Sequence, residues 1–177
     1  KPPFAPGYDV VGTIAALGEG VSSELEVGQR VAALTVIGGY AEYLCVEAEE
    51  VVPVPEGLDS SLAVSLVLNY TTAYQMLHRS YGIRSGEKVL VHGAAGGVGS
   101  ALVQLAVLEG LDVFGTASTG KLSTVESLGA RPIDYKTRPF DKSIRELEPD
   151  GLDGVFEGFG VNWWPSYRLL DRGGKLV

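Results

Sequence analysis

The sequence is poor in the residues from which many sites are built. One cysteine, Cys45, occurs in 177 residues. An internal disulfide framework is therefore excluded, and a reducing, cytoplasmic setting is expected. Histidine occurs twice, as His78 and His92. Neither has a second candidate ligand near it in the sequence, so both read as structural residues and no metal is expected. Positive charge is scarce: 14 Lys and Arg stand against 22 Asp and Glu, a net charge of −8. Without a basic stripe, neither a nucleic acid nor an anionic membrane surface fits as a partner. No apolar run reaches the roughly 18 residues of a membrane-spanning helix, and no leader pattern opens the chain. No Gly-Lys-Ser/Thr follows a glycine turn, which excludes a P-loop. No Ser-His-Asp pattern assigns a covalent nucleophile.

What the chain does contain is apolar residues, 45% of the total, enough for a sizeable core, and one stretch that organises the rest. Residues 88–99 read KVLVHGAAGGVG. The first five form an apolar run of strand type. Gly93, Gly96, Gly97 and Gly99 then make a glycine-rich turn. Residues 100–109 read as a helix, with Val98, Leu102, Leu105 and Ala106 along one face. Strand, glycine turn and helix is the geometry that receives a pyrophosphate: the backbone turns tightly, the phosphates come close, and the helix start offers unpaired N–H groups and a positive dipole end. The spacing is Gly-x-x-Gly-Gly-x-Gly rather than the strict dinucleotide form. The same residues fit an ordinary tight β–α connection.

Residues 1–57 have β character. Strands are expected over 10–17, 29–34, 40–46 and 49–55, the last interrupted by prolines and so placed at an edge or crossover. Cys45 falls in the alternating run 40–46 and is expected in the core. Beyond the break at Pro55-Glu56-Gly57, Asp59 or Ser60 is positioned to cap a helix through Val67. Asn69 or Thr71 is positioned to cap a second over 72–81, ended by Gly82. From Glu87 onward the pattern alternates. Strands are expected at 88–92, 111–116, 131–135, 154–157 and 174–177, and helices at 97–109, 121–128, 139–147 and 163–170. Alternation of this kind predicts an α/β fold, a doubly wound parallel sheet with helices on both faces. Such a sheet usually has six strands. Five are reached here, so the sheet is expected to be incomplete and the chain part of a longer protein.

Several motifs occur in one order: PGYDVVGTIAALGEGV, VGQRVAAL, GGYAEYLCV, VPVPEGL, TTAYQML, KVLVHGAAGGVG and SLGARPIDY. Together they resemble the medium-chain dehydrogenase/reductases, and among these the zinc-independent quinone oxidoreductase and enoyl reductase branch. The resemblance implies two domains. Residues 1–60 would be part of a β-rich chaperonin-10-like catalytic domain, and residues 61–177 most of a Rossmann domain that binds NADPH. It also implies a homodimer for the full-length protein.

In an NAD-preferring site an acid at the end of the second strand grips the ribose hydroxyls. Here that strand ends Gly115-Thr116-Ala117-Ser118, with no acid. The hydroxyls of Thr116, Ser118 and Thr119, with Lys121 close behind, suit a 2′-phosphate. They fit equally a helix cap beside a solvated lysine. The resembling family places a Ser, a Lys and a Tyr around that phosphate, and Ser118, Lys121 and Tyr135 fall at those places. It also implies Thr72 near the nicotinamide, Gly96, Gly97 and Val98 along the pyrophosphate, and Phe159 and Gly160 beside the adenosine ribose. Asn69 and Tyr70 are further candidates for the nicotinamide pocket. Thr72 also reads as a helix cap and Phe159 as core.

The zinc alcohol dehydrogenases of the superfamily carry Gly-His-Glu where this chain has Gly7-Tyr8-Asp9. A phenol is a poor zinc ligand beside imidazole, and the family's four-cysteine lobe is absent. Without a Lewis acid a simple ketone is hard to polarise. A conjugated acceptor spreads the incoming charge and needs less help. The expected activity is hydride transfer from NADPH to a quinone or an α,β-unsaturated carbonyl compound. The alternatives are a 2-enoyl thioester reductase, free-standing or in a polyketide or fatty-acid synthase, and a non-enzymatic nucleotide-binding relative. No catalytic acid is assigned; the protonating Tyr of some family members would lie upstream of residue 1.

Overall fold

The computed structural model describes residues 4–21 and 24–177. The chain divides into two compact units, Lys1–Thr71 and Thr72–Val177. In the first, strands β1 (Asp9–Thr13), β2 (Arg30–Leu34) and β3 (Val51–Pro53) form an antiparallel sheet in that order. Gly12 is in register with Val31, and Ala32 with Val52. Small side chains, Ala32 and Ala33, are its buried positions. Pro53 lies on the edge strand, where its missing N–H costs no ladder bond.

The alternating run 40–46 is not a strand. Alternation prepares a segment for pairing, but no strand among the described residues pairs with it. Tyr40, Tyr43 and Cys45 are exposed as a result, which corrects the core placement of Cys45. The segment before it bonds instead to residues 5–8. Gly38 N–H donates to Ala5 O at 2.9 Å, and Tyr40 N–H to Pro6 O at 2.8 Å. The crossing is tight: a Cβ on Gly7, whose φ is +111°, would stand 2.6 Å from the Tyr40 nitrogen. Nearby Val36 holds a φ of +61°, a costly value for a β-branched residue.

Asp59 caps helix α1 (Ser60–Ser65), its carboxylate accepting from the N–H groups of Ser61 at 2.9 Å and Leu62 at 3.2 Å. The expected second cap is not used. Thr71 has helical dihedrals, and the chain stays helical through Leu66–Tyr70, α2 (Thr71–Tyr74) and Gln75–Tyr81, with π-type turns before and after α2. Gly82, in the left-handed conformation at φ +75°, ends the run.

The second unit holds β4 (Lys88–Val91), α3 (Gly97–Leu108), β5 (Asp112–Ala117), α4 (Leu122–Ser127), β6 (Arg131–Asp134), α5 (Phe140–Leu147), β7 (Leu152–Phe156), α6 (Trp163–Tyr167) and β8 (Leu170–Leu176). The five strands form one parallel sheet in the order β6-β5-β4-β7-β8. Apart from the charged residues near their amino ends and Thr116, its inner strands are apolar or glycine, as strands covered on both faces require. Leu90, Phe114, Ile133, Ile144, Leu152, Val155 and Leu169 form the core. Gly115 in β5 allows a close approach: a Cβ there would come within 2.6 Å of Ala94 Cβ and 2.7 Å of Val125 Cγ1. The final helix is shorter than expected and the final strand longer. The ladder slips between Leu152 and Gly154, and Gly173, at φ +108°, lies in the extra stretch of β8.

Candidate functional site

In this sheet the strand order reverses between β4 and β7. From β4 the chain crosses to β5 on one side, and from β6 it returns to β7 on the other. In sheets of this topology ligands bind beyond the carboxyl ends of the strands at the switch point, and the glycine turn leads out of β4 there. Each glycine there has its own reason. Gly93 takes φ +61°, and a Cβ on it would lie 2.6 Å from the Phe159 ring. Gly93 O accepts the Gly96 N–H at 2.8 Å, closing the turn. Gly99 faces the same carbonyl, and any side chain at Gly99 would collide with it. Gly96 and Gly97 are exposed, Val98 is half-buried, and no side chain caps α3. The first-turn N–H groups and the dipole end are thus left for a ligand.

Behind the turn lies a network that the sequence did not disclose. Gly93 N–H donates to Thr116 Oγ1 at 3.1 Å. His92 is buried, with Nδ1 3.2 Å from Thr116 Oγ1 and Nε2 2.9 Å from Ser166 Oγ. Its ring stands edge-on to Phe140, 4.7 Å between centroids. Burial pushes its pKa down to about 4, against a smaller upward pull from Glu157. The imidazole is therefore neutral at pH 7. A neutral ring offers one donor and one acceptor, which matches two hydroxyl partners. Thr116, expected among the hydroxyls for a phosphate, is spent on this network. The signal was the lone histidine ending a buried strand; its partners are 24 and 74 residues away, beyond any local pattern.

At the end of β5, Ser118 is half-buried and Lys121 exposed. Their side chains have no protein partner among the described residues, and Lys121 N–H donates to Ser118 O at 2.8 Å. Thr119 is not free, because its hydroxyl donates to Asp134 Oδ2 at 2.7 Å. Tyr135 follows β6, exposed, its N–H on Ala117 O at 3.3 Å and the Lys136 ammonium 5.3 Å from its ring centroid. Ser118, Lys121 and Tyr135 thus sit at the carboxyl ends of two adjacent strands. Phe159 and Gly160 follow β7. Glu157 accepts their N–H groups at 3.2 and 2.6 Å, which shapes the loop that lays the Phe159 ring on Gly93. Phe159 is 65% exposed and so is not core. Thr72 is half-buried inside α2 and caps nothing. Asn69 and Tyr70 lie in the preceding π-type turn. Tyr8 is exposed, and His78 is 3.8 Å from Glu109. Among the described residues no three His, Cys, Asp or Glu side chains gather as a metal site would require, and no helix is long and apolar enough to cross a membrane.

A parallel sheet in this order, with a glycine turn at its switch point, defines a Rossmann dinucleotide-binding domain. Residues 1–56 match the alcohol dehydrogenase GroES-like domain, and residues 97–177 match the zinc-binding dehydrogenase family. The chain is 39% identical to the synaptic vesicle membrane protein VAT-1 homolog of Danio rerio over all of its length and 37% of that protein's. It is 36% identical to the quinone oxidoreductase of Homo sapiens over 99% of its length and 54% of that protein's. A mycobacterial protein solved in complex with NADPH superposes with a TM-score of 0.91 at 33% identity, over 100% of this chain and 57% of that one. The chain belongs to the medium-chain dehydrogenase/reductase superfamily, in the branch of the quinone oxidoreductases and enoyl reductases. It spans about half the length of the curated relatives it matches.

Proposed function

We propose that the protein is an NADPH-dependent oxidoreductase that passes a hydride to a quinone or an α,β-unsaturated carbonyl compound without zinc. The observation that carries the reading is the uncapped glycine turn, together with Ser118 and Lys121 side chains that have no partner among the described residues and the lack of a carboxylate at the carboxyl end of β5. The turn that offers these groups can be built only with glycine, because a side chain at Gly93 would meet the Phe159 ring and one at Gly99 the Gly93 carbonyl.

When bound, NADPH supplies the hydride. The protein's part is to hold and orient. The α3 N-terminus and the backbone of Gly96, Gly97 and Val98 receive the pyrophosphate. Ser118, Lys121 and Tyr135 receive the 2′-phosphate. Phe159 and Gly160 would border the ribose of the bound coenzyme, and Thr72 would serve its nicotinamide end. Tyr8, standing where the zinc enzymes have histidine, favours an acceptor that needs no Lewis acid. Similarity to a quinone oxidoreductase and to proteins described as enoyl reductases supports the same acceptor class. Within it, a 2-enoyl thioester is the second candidate. The small molecule is the proposed partner, the cytoplasm the proposed location, and a homodimer the proposed full-length assembly.

The test is turnover of NADPH by the full-length protein with a quinone, a simple enone and a crotonyl thioester in parallel. Oxidation with the first two supports the proposal. Oxidation with the thioester alone moves the assignment to the enoyl reductases. Tight NADPH binding with no turnover of any acceptor makes this a binding protein.

A further inference from the structure

The end of β5 carries no acid, yet a carboxylate reaches that place from the next strand. Asp134, the last residue of β6, is in register with Ala117, the last residue of β5. An acid beside the ribose usually selects against a 2′-phosphate, so what this one does decides how the edge works. Both of its oxygens are occupied. Oδ2 accepts the Thr119 hydroxyl at 2.7 Å, and Oδ1 accepts the Lys136 N–H at 2.9 Å. Its main-chain oxygen accepts the Thr137 hydroxyl at 3.2 Å. One donor comes from the turn after β5 and the others from the turn after β6.

We propose that Asp134 is a positioning residue for the 2′-phosphate edge: its carboxylate braces the turn after β5 against the turn after β6, so that Ser118 and Lys121 on one side and Tyr135 and Lys136 on the other serve one anion. The proposal rests on the NADPH reading above and adds Lys136 as a second cation. The Thr119 hydroxyl first, and then the Lys136 and Thr137 N–H groups, hold the carboxyl below its ordinary pKa. It is therefore ionised at neutral pH and stays a hydrogen-bond acceptor. Each oxygen of the carboxylate is thereby tied to one of the two turns, and the two lysines outnumber its charge. The Lys136 ammonium over the Tyr135 ring ties that cation to a residue already placed at the edge.

The experiment isolates the edge from the rest of the coenzyme. Adenosine 2′,5′-bisphosphate and 5′-AMP are titrated against the full chain and against the variants Asp134→Ala, Asp134→Asn, Thr119→Val and Lys136→Ala. The brace predicts that Asp134→Ala weakens the bisphosphate roughly tenfold and leaves 5′-AMP unchanged. Asp134→Asn, whose amide oxygen still accepts, retains most of the affinity. Thr119→Val, which touches only an exposed hydroxyl, falls between them and keeps the proposal testable if Asp134→Ala does not fold. Lys136→Ala weakens the bisphosphate selectively. Tighter bisphosphate binding in both Asp134 variants would show a repelling guard and overturn the brace. So would equal losses for the two nucleotides, which mark a general structural role, or no change in either. If the unmodified chain does not distinguish the two nucleotides, the NADPH reading itself fails. If it does distinguish them and the Asp134 and Thr119 variants behave as it does, the brace alone fails.

Discussion

The two ends of the parallel sheet are built on opposite plans. At the amino end, charged side chains close on one another. Lys88 pairs with Glu148, Glu148 with Arg131 at 3.3 Å, and Arg131 with Asp112, while the Arg131 guanidinium lies 3.9 Å over the Phe114 ring. At the carboxyl end, backbone is left open: an uncapped helix, a turn of glycines, and a serine and a lysine whose side chains have no partner among the described residues. The same strands end in both places, so the contrast is not one of propensity. The amino end spends its charges on itself and contributes to stability. The carboxyl end withholds its donors and is fit for binding. Variants at the first are expected to change the melting temperature, and variants at the second the coenzyme affinity.

The largest effect that sharpens this contrast comes from Gly99→Ala. The added methyl collides with Gly93 O, the turn must open, and dinucleotide affinity is expected to fall about a hundredfold; fluorescence titration reads it, and unchanged affinity would place the binding site elsewhere.

Next is His92. Its folded pKa of about 4 lies below the ordinary 6.5, so the unfolded chain binds the extra proton first as pH falls. Stability from this group is fully present above pH 6.5 and is lost between about 6.5 and 4, by about 3 kcal/mol. Denaturant unfolding across that range checks it. His92→Gln, whose amide can both donate and accept but does not titrate, should show a flatter dependence.

Lys121→Ala is expected to weaken NADPH roughly tenfold more than NADH; equal effects on the two would remove it from the phosphate. The smallest change is at the closed end. Glu148→Gln should lower the melting temperature by about 2–4 °C and leave coenzyme affinity alone. Lys88 first, and then Arg131, hold the Glu148 carboxyl below its ordinary pKa. The variant's deficit is therefore present above the unfolded carboxyl pKa and disappears as acid protonates that group.

The same contrast explains what was legible. The open end was written locally. Glycines at residues 93–99, the missing acid after β5 and the alternation of strand and helix are all short-range patterns, and they gave the sheet, its class and the turn. Pairing was not written locally. Asp134 enters the edge through register with Ala117, and His92 finds Thr116 and Ser166 across the fold. The run 40–46 shows the converse, a good strand pattern with no strand to pair with among the described residues. The helix over residues 60–81 hid its continuity because Asn69 and Thr71 look like caps, while π-type turns carry the helix past them.

The proposed function depends most on whether the carboxyl end of the sheet receives a 2′-phosphate. Calorimetric titration of the purified full-length protein with NADPH and with NADH measures this directly. NADPH is expected to bind at least about tenfold more tightly, with the difference shrinking in Lys121→Ala. Equal affinities, or a preference for NADH, would contradict it.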